Sequence, residues 1–177
     1  MDPVTDLGLG APALGLLVLR VLVGVPFAMH GCQKLFGWFG GGGLEGTAGW
    51  FRGLGFGDGK VAAVMAGTSE VAGGLGLALG LLTPFAAAAM MGTMTTAALV
   101  NNAENGFWSV KKGWELNGYL VVVAAAVAIT GPGEASLDAA LGLDVLWGVV
   151  PGLLAVVAGV GGGWLRWSTR DTRDEAG

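Results

Sequence analysis

Arg20 and Glu70 are ionisable residues set inside long apolar runs, and that setting restricts what they can do. Arg20 stands about nine residues into the run 11–31, and Glu70 about nine residues into the run 61–82. At a rise of about 1.5 Å per residue, each side chain lies roughly 13–15 Å from the start of its helix. An unpaired charge at the centre of a membrane helix costs roughly 2.5–3.5 kcal/mol on insertion scales. One loop joins the two runs, so they form antiparallel neighbours, and Arg20 and Glu70 are expected to meet at matched depth as an ion pair. Such a pair has two readings. It is a register lock between helices, or it is a site that touches substrate or carries protons, as ionisable residues inside membranes do by default.

Four further polar residues extend this set. His30 is the one histidine of the chain, and imidazole is the side chain suited to proton exchange near neutral pH. It lies about 80° around the helix from Arg20, whereas Lys34 returns toward the Arg20 face if the helix continues that far. Glu115 and Asn117 open the run 116–130, together with Tyr119. Glu115 is either an acid at the positive end of a helix or a member of a polar pocket with His30 and Lys34. Catalytic candidates are thus Arg20, Glu70, His30 and Glu115, and candidate binding residues add Lys34, Trp38 and Asn117. No metal site is expected, because His30 has no second His or Cys beside it. Cys32 is alone, which argues against a disulfide framework or a thiol relay carried by this chain itself. Thr93, Thr95 and Thr96 read as hydrogen-bonding groups between helices.

The elements that position these residues follow from composition. Hydrophobic residues make up 53% and charged residues only 12%, too few to cover a soluble domain. Mean hydropathy is +0.67, so lipid covers the surface, and the fold class is an all-α polytopic transmembrane bundle. A spanning helix needs roughly 20 apolar residues, and five runs qualify or come close: 11–31, 61–82, 84–100, 116–130 and 145–165. The runs are continuous rather than alternating, which argues against a barrel. Asp2 and Asp6 precede the first run with no basic stretch, so it reads as a membrane helix and not as a cleavable leader. Nothing in the chain resembles a nucleic-acid signature.

Charge alternates between the loops. Lys34, Arg52 and Lys60 follow the first run, Lys111 and Lys112 the third, and Arg166, Arg170 and Arg173 the fifth, while the Thr83 turn and the 131–144 loop hold no base. With five spans, the positive-inside rule puts the N-terminus out and the C-terminus in; a four-span arrangement would move the tail across. The tryptophans fall in loops or at helix ends, as in an interfacial belt, with an aromatic lid over a ligand as the sharper alternative. That alternative applies best to the glycine- and aromatic-rich segment 35–56, which is expected to lie in the interface with a short helix after its glycine run. Ala72, Gly76 and Gly80 form a small-residue stripe for close helix approach.

These residues also carry a family resemblance. Leu19-Arg20 followed by the block from Met29 to Gly41, Met-His-Gly-Cys-Gln-Lys-Leu-Phe-Gly-Trp-Phe-Gly-Gly, resembles the opening of the DoxX family of bacterial membrane proteins. Glu70-Val71-Ala72-Gly73-Gly74, Leu82-Thr83-Pro84, Gly113-Trp114-Glu115-Leu116-Asn117 and Gly131-Pro132-Gly133 with Ser136-Leu137-Asp138 extend it over about residues 13–140. The resemblance implies a four-helix core and matches Arg20, His30, Lys34, Glu70, Glu115 and Asn117 to the family pattern. It divides the chain into a DoxX-like domain at 1–140, an added apolar helix at 141–167 and a charged cytoplasmic tail at 168–177. It also implies a quinone-linked redox subunit in the bacterial cytoplasmic membrane, with the aromatic loop and the His30/Glu115 region as a headgroup site. No cofactor is intrinsic on this reading. The expected partners are lipid, a soluble thiol or sulfur-transfer enzyme and a second copy of the chain, with no nucleic acid. A small-anion permeation protein using Arg20 and Lys34 is one alternative, and a scaffold for a soluble oxidoreductase is another.

Overall fold

The computed structural model describes residues 10–171; Asp2, Asp6, Arg173 and the tail from 172 onward lie outside the described residues. Within them every regular element is helical. Helix α1 (Ala11–Phe36) starts with proline in its first turn, where a missing N–H costs nothing, and stops at Gly37 in the left-handed region. Helix α2 (Gly43–Gly53) is the short helix expected after the glycine run. Helix α3 (Gly59–Leu79) is capped by Asp58, whose carboxylate accepts from Lys60 N at 2.9 Å and Val61 N at 3.3 Å. Helix α4 (Thr83–Ala97) carries Pro84 in its first turn and continues as a π turn over Ala98–Asn102. Helices α5 (Glu115–Thr130), α6 (Leu137–Ala140) and α7 (Val149–Ser168) complete the chain.

Four helical segments are long and apolar enough to cross a membrane: Ala11–Phe36, Gly59–Leu79, Thr83–Asn105 and Val149–Ser168. The last of these is the added segment, so its length and composition suit a span. The short one is α5, whose 16 residues reach only about 24 Å.

Glycine sets the packing. A Cβ on Gly24 would stand 2.7 Å from Ala78 N, and one on Gly31 would stand 2.6 Å from the Gly67 carbonyl. The reverse holds for Gly74 of α3, whose Cβ would meet Ala28 N at 2.5 Å. The backbones of α1 and α3 therefore touch along Gly24, Gly31, Gly67 and Gly74, a contact that van der Waals attraction favours where lipid supplies no hydrophobic drive. This face differs from the expected stripe. Ala72 is exposed, Gly76 faces Ala86 of α4, and Gly80 caps α3 in the left-handed region at φ 62°.

Helix α7 is part of the bundle. Its buried residues are Gly152, Ala155, Gly159 and Gly163. Gly152 lies on Ala128 and Ile129 of α5, Gly159 on Ala88 and Met91 of α4, and Gly163 on Gly92 and Thr95. The core beneath holds Phe27, Leu77, Met90, Met91 and Val127. A matched pair of substitutions tests this seating. A Cβ at Gly159 would stand 2.7 Å from the Ala88 carbonyl, while one at Gly161 meets nothing within 4 Å. Gly159→Leu is expected to lower stability by about 1–3 kcal/mol in detergent thermal unfolding, with Gly161→Leu close to the parent. Equal effects would contradict the packing.

Candidate functional site

The ion pair expected between Arg20 and Glu70 does not form. Arg20 is fully buried, and its Nη2 donates to the Ala135 carbonyl in the loop before α6. The guanidinium fills the space beside Gly80 and Ser136, and its countercharge is Asp138. Asp138 is itself fully buried and holds the start of α4. Its carboxylate accepts from Leu82 N at 2.7 Å, Thr83 N at 3.0 Å and Thr83 Oγ1 at 2.7 Å. The Asp138 N–H returns to the Gly80 carbonyl at 2.8 Å. An acid at a helix start meets unpaired N–H groups and the positive end of the dipole.

Register explains the correction. With Gly24 against Gly74 and Ala78, and Gly31 against Gly67 and Val71, Arg20 falls level with Gly80 at the end of α3. Glu70 is ten residues earlier on that helix, about 15 Å away along its axis. In an antiparallel pair, equal counts from the two starts give equal depth only at the midpoints of facing spans; α1 runs on to Phe36, so Arg20 lies 16 residues (36 − 20) from the end that faces the start of α3, against 11 (70 − 59) for Glu70. The signal for Asp138 was present: a carboxylate in a loop without bases is a natural counterion for a buried arginine.

Glu70 pairs instead with Lys34. Helix α1 continues through Phe36, so Lys34 sits in its last turn and its Nζ lies 2.6 Å from Glu70 Oε2. Glu70 is only 2% exposed, and an ammonium directly against it relieves the cost of burying the carboxylate. His30, one turn before Lys34, is near enough to act on Glu70 electrostatically. Its Nδ1 lies 2.8 Å from Gln33 Oε1, and Gln33 Nε2 donates to the Phe39 carbonyl at 3.2 Å.

These groups form the polar end of a cavity of about 830 Å³ enclosed by α1, α2, α3, α4, α5 and α7. His30, Lys34, Glu70 and Asn117 all line it, beside Ser69 and Thr93. The rest of the wall is mainly apolar, with Phe27, Met65 and Leu120 among the larger groups. The π turn of α4 brings Val100 and Asn101 to the same wall. Trp50, Phe51 and Phe56 of the glycine- and aromatic-rich segment line it too.

Two expected members lie elsewhere. Trp38 is more than half exposed and stacks on Phe36 at 5.0 Å instead of lining the cavity. Glu115 accepts from Ser109 N at 2.8 Å, while its own N–H donates to Phe107 O at 2.8 Å. That hairpin-like closure keeps the carboxylate on the loop, where it caps the turn Ser109–Lys111 and not the pocket. Arg166 was missed as a wall residue, having read only as a tail charge. Its guanidinium lies 4.5 Å above the Phe56 ring and donates to the Phe56 carbonyl at 3.4 Å. Just beyond α7, Asp171 N donates to the Gly55 carbonyl at 2.7 Å, so this end of the chain is tied to the segment 55–56. Among the described residues no group of His, Cys, Asp and Glu is arranged to hold a metal ion.

The DoxX family model matches residues 15–103, which is α1 through α4. The chain belongs to the DoxX family. The matched region holds Arg20, His30, Lys34 and Glu70, while Asn117, Asp138 and Arg166 lie beyond it. The sequence resemblance read out to residue 140 therefore extends past the family match. No curated protein and no solved structure matches the chain. As a DoxX protein with four helices suited to crossing a bilayer, it is a membrane protein.

Arg20 and Asp138, both buried and opposite in charge but not in direct ion-pair contact, yield a double-mutant test. Removing one partner of a buried charge pair costs about 3–5 kcal/mol, whereas replacing both by apolar groups costs far less. Asp138→Ala should destabilise strongly in detergent unfolding, and adding Arg20→Leu should recover part of the loss. Additive losses would show that the two residues act independently.

Proposed function

We propose that this chain is the membrane subunit of an oxidoreductase and binds a quinone in the cavity that ends on Lys34 and Glu70. One observation carries the reading: a mainly apolar cavity of drug-sized volume ends on a part-buried ion pair and an imidazole. A bound quinone supplies exchange of two electrons and two protons. The side chains supply the rest. The Lys34 ammonium has three donors and spends one on Glu70, so it keeps donors for a ligand oxygen. Glu70 and His30 can hold or release protons beside that oxygen. Phe27, Met65 and Leu120 offer the apolar wall that a prenyl tail requires.

The cytoplasmic side on this reading carries Lys34, Arg52, Lys60, Lys111, Lys112 and Arg170, with the N-terminus outside in the bacterial cytoplasmic membrane. The chain has no haem, flavin or iron–sulfur motif, so electrons come from a soluble thiol or sulfur-transfer enzyme docked on that side, or from a small reductant. A small-anion path drawing on both Arg20 and Lys34 gains less support. The two are 14 residues apart on α1, about 21 Å, and Arg20 is enclosed by the Ala135–Asp138 segment.

Trp50 in the cavity wall provides a reporter. Titration of the purified protein with a short-chain benzoquinone is expected to quench tryptophan fluorescence saturably. Lys34→Met should weaken binding about tenfold, the equivalent of one lost hydrogen bond from a charged donor. Failure of the parent protein to bind any quinone would remove this reading.

A further inference from the structure

The two ends of the Gln33 side-chain amide differ chemically, and the structure uses both. The end facing Phe39 meets a backbone carbonyl at 3.2 Å. A carbonyl only accepts, so that end must be the amide nitrogen; a flipped amide would set two oxygens against each other. The other end is then the amide oxygen, and it lies 2.8 Å from His30 Nδ1. An amide oxygen also only accepts, so Nδ1 must carry the proton. In a neutral imidazole the remaining nitrogen, Nε2, is then a bare acceptor.

The glycine-rich loop makes this arrangement possible. Phe39 adopts left-handed backbone angles, φ 53° and ψ 31°, between Gly37 at φ 73° and Gly40 at φ 79°. Gly41 then passes so close to Gln33 that a Cβ on it would stand 2.5 Å from the Gln33 Cα. Only glycine allows that approach. The loop thereby holds the Phe39 carbonyl over the Gln33 amide.

We propose that Gln33 is a positioning residue that fixes His30 in the Nδ1–H form, and that the cavity consequently prefers the hydroxyl-bearing, reduced form of its ligand. The second half rests on the quinone-linked reading. The polar end offers a donor in Lys34 Nζ, and because Gln33 engages Nδ1, the His30 nitrogen left for a ligand is the acceptor Nε2; the charged groups beside the imidazole are Lys34 and Glu70. A quinol places a hydroxyl against Nε2 and an oxygen against Nζ. A quinone places a carbonyl lone pair against the Nε2 lone pair, leaving both without a hydrogen.

His30 is the one histidine of the chain, so selective ¹⁵N-histidine labelling reports a single imidazole. At about pH 8, above the usual imidazole range, the ligand-free protein is expected to show protonated Nδ1 and unprotonated Nε2. Gln33→Leu should shift this toward the Nε2–H form, and Gln33→Glu, which keeps an acceptor, should restore Nδ1–H. A predominantly Nε2–H imidazole in the parent protein, or no change in Gln33→Leu, overturns the role of Gln33. With short-chain benzoquinol and benzoquinone as probes, the parent should bind the quinol about tenfold more tightly, and Gln33→Leu should lose that preference. Equal binding of both forms overturns the preference while leaving the quinone-linked reading intact. Binding of neither form overturns that reading along with the ligand assignment, and the tautomer, read without ligand, still decides the role of Gln33.

Discussion

Backbone contact between α1 and α3 is the constraint on which the other features depend. Gly24, Gly31 and Gly74 let the two helices approach until main-chain atoms touch, and Gly67 leaves room for the Leu35 side chain. Helices in direct contact cannot slide without overlap, so this one interface sets their register. The register then decides which charges meet. Lys34 falls beside Glu70, and Arg20 falls past the end of α3, against Gly80 and the Ala135–Asp138 segment. The two ends of α1 thus have different duties: a buried lock at one, and a lysine, a histidine and an acid facing a cavity at the other.

The cavity itself is a product of assembly. Its polar end comes from α1 and α3, within the family match, while α5 contributes Asn117 and α7 contributes Gly159, Gly163 and Arg166 from beyond it. Because α7 presents glycine and alanine to α4 and α5, it seats closely without filling the chamber. Arg166 in its last turn and Asp171 just after it then reach Phe56 and Gly55. A helix that read as an appendage to the family core is therefore one wall of the candidate site.

Much of the fold was legible from local patterns. Apolar run length, Pro84 and the Gly131-Pro132-Gly133 break locate the long helices to within a few residues. The short helix after the glycine run also agrees with the expectations, and His30, Lys34, Glu70 and Asn117 line one cavity. The partner assignments agree less well. Matched residue counts for Arg20 and Glu70 carried no information on how far the two helices are offset, because the offset arises where glycine meets glycine. Glu115 was drawn away by a loop that folds back on its own helix start, a contact invisible to spacing along the helix. Trp38 had the composition of a lid residue, but the left-handed turn at Phe39 keeps it outside.

What the sequence by itself determined is the class of molecule and the supply of ionisable groups. Hydropathy and run length are properties of single segments, and a bilayer acts on them segment by segment. What only the tertiary structure decided is the pairing: Glu70 with Lys34, Arg20 with the Ala135 carbonyl, and Arg166 with Phe56. Hydrogen bonds and close ion pairs require their atoms within about 3–4 Å of each other. Separations on that scale are fixed by how helix backbones pack, which no single segment contains.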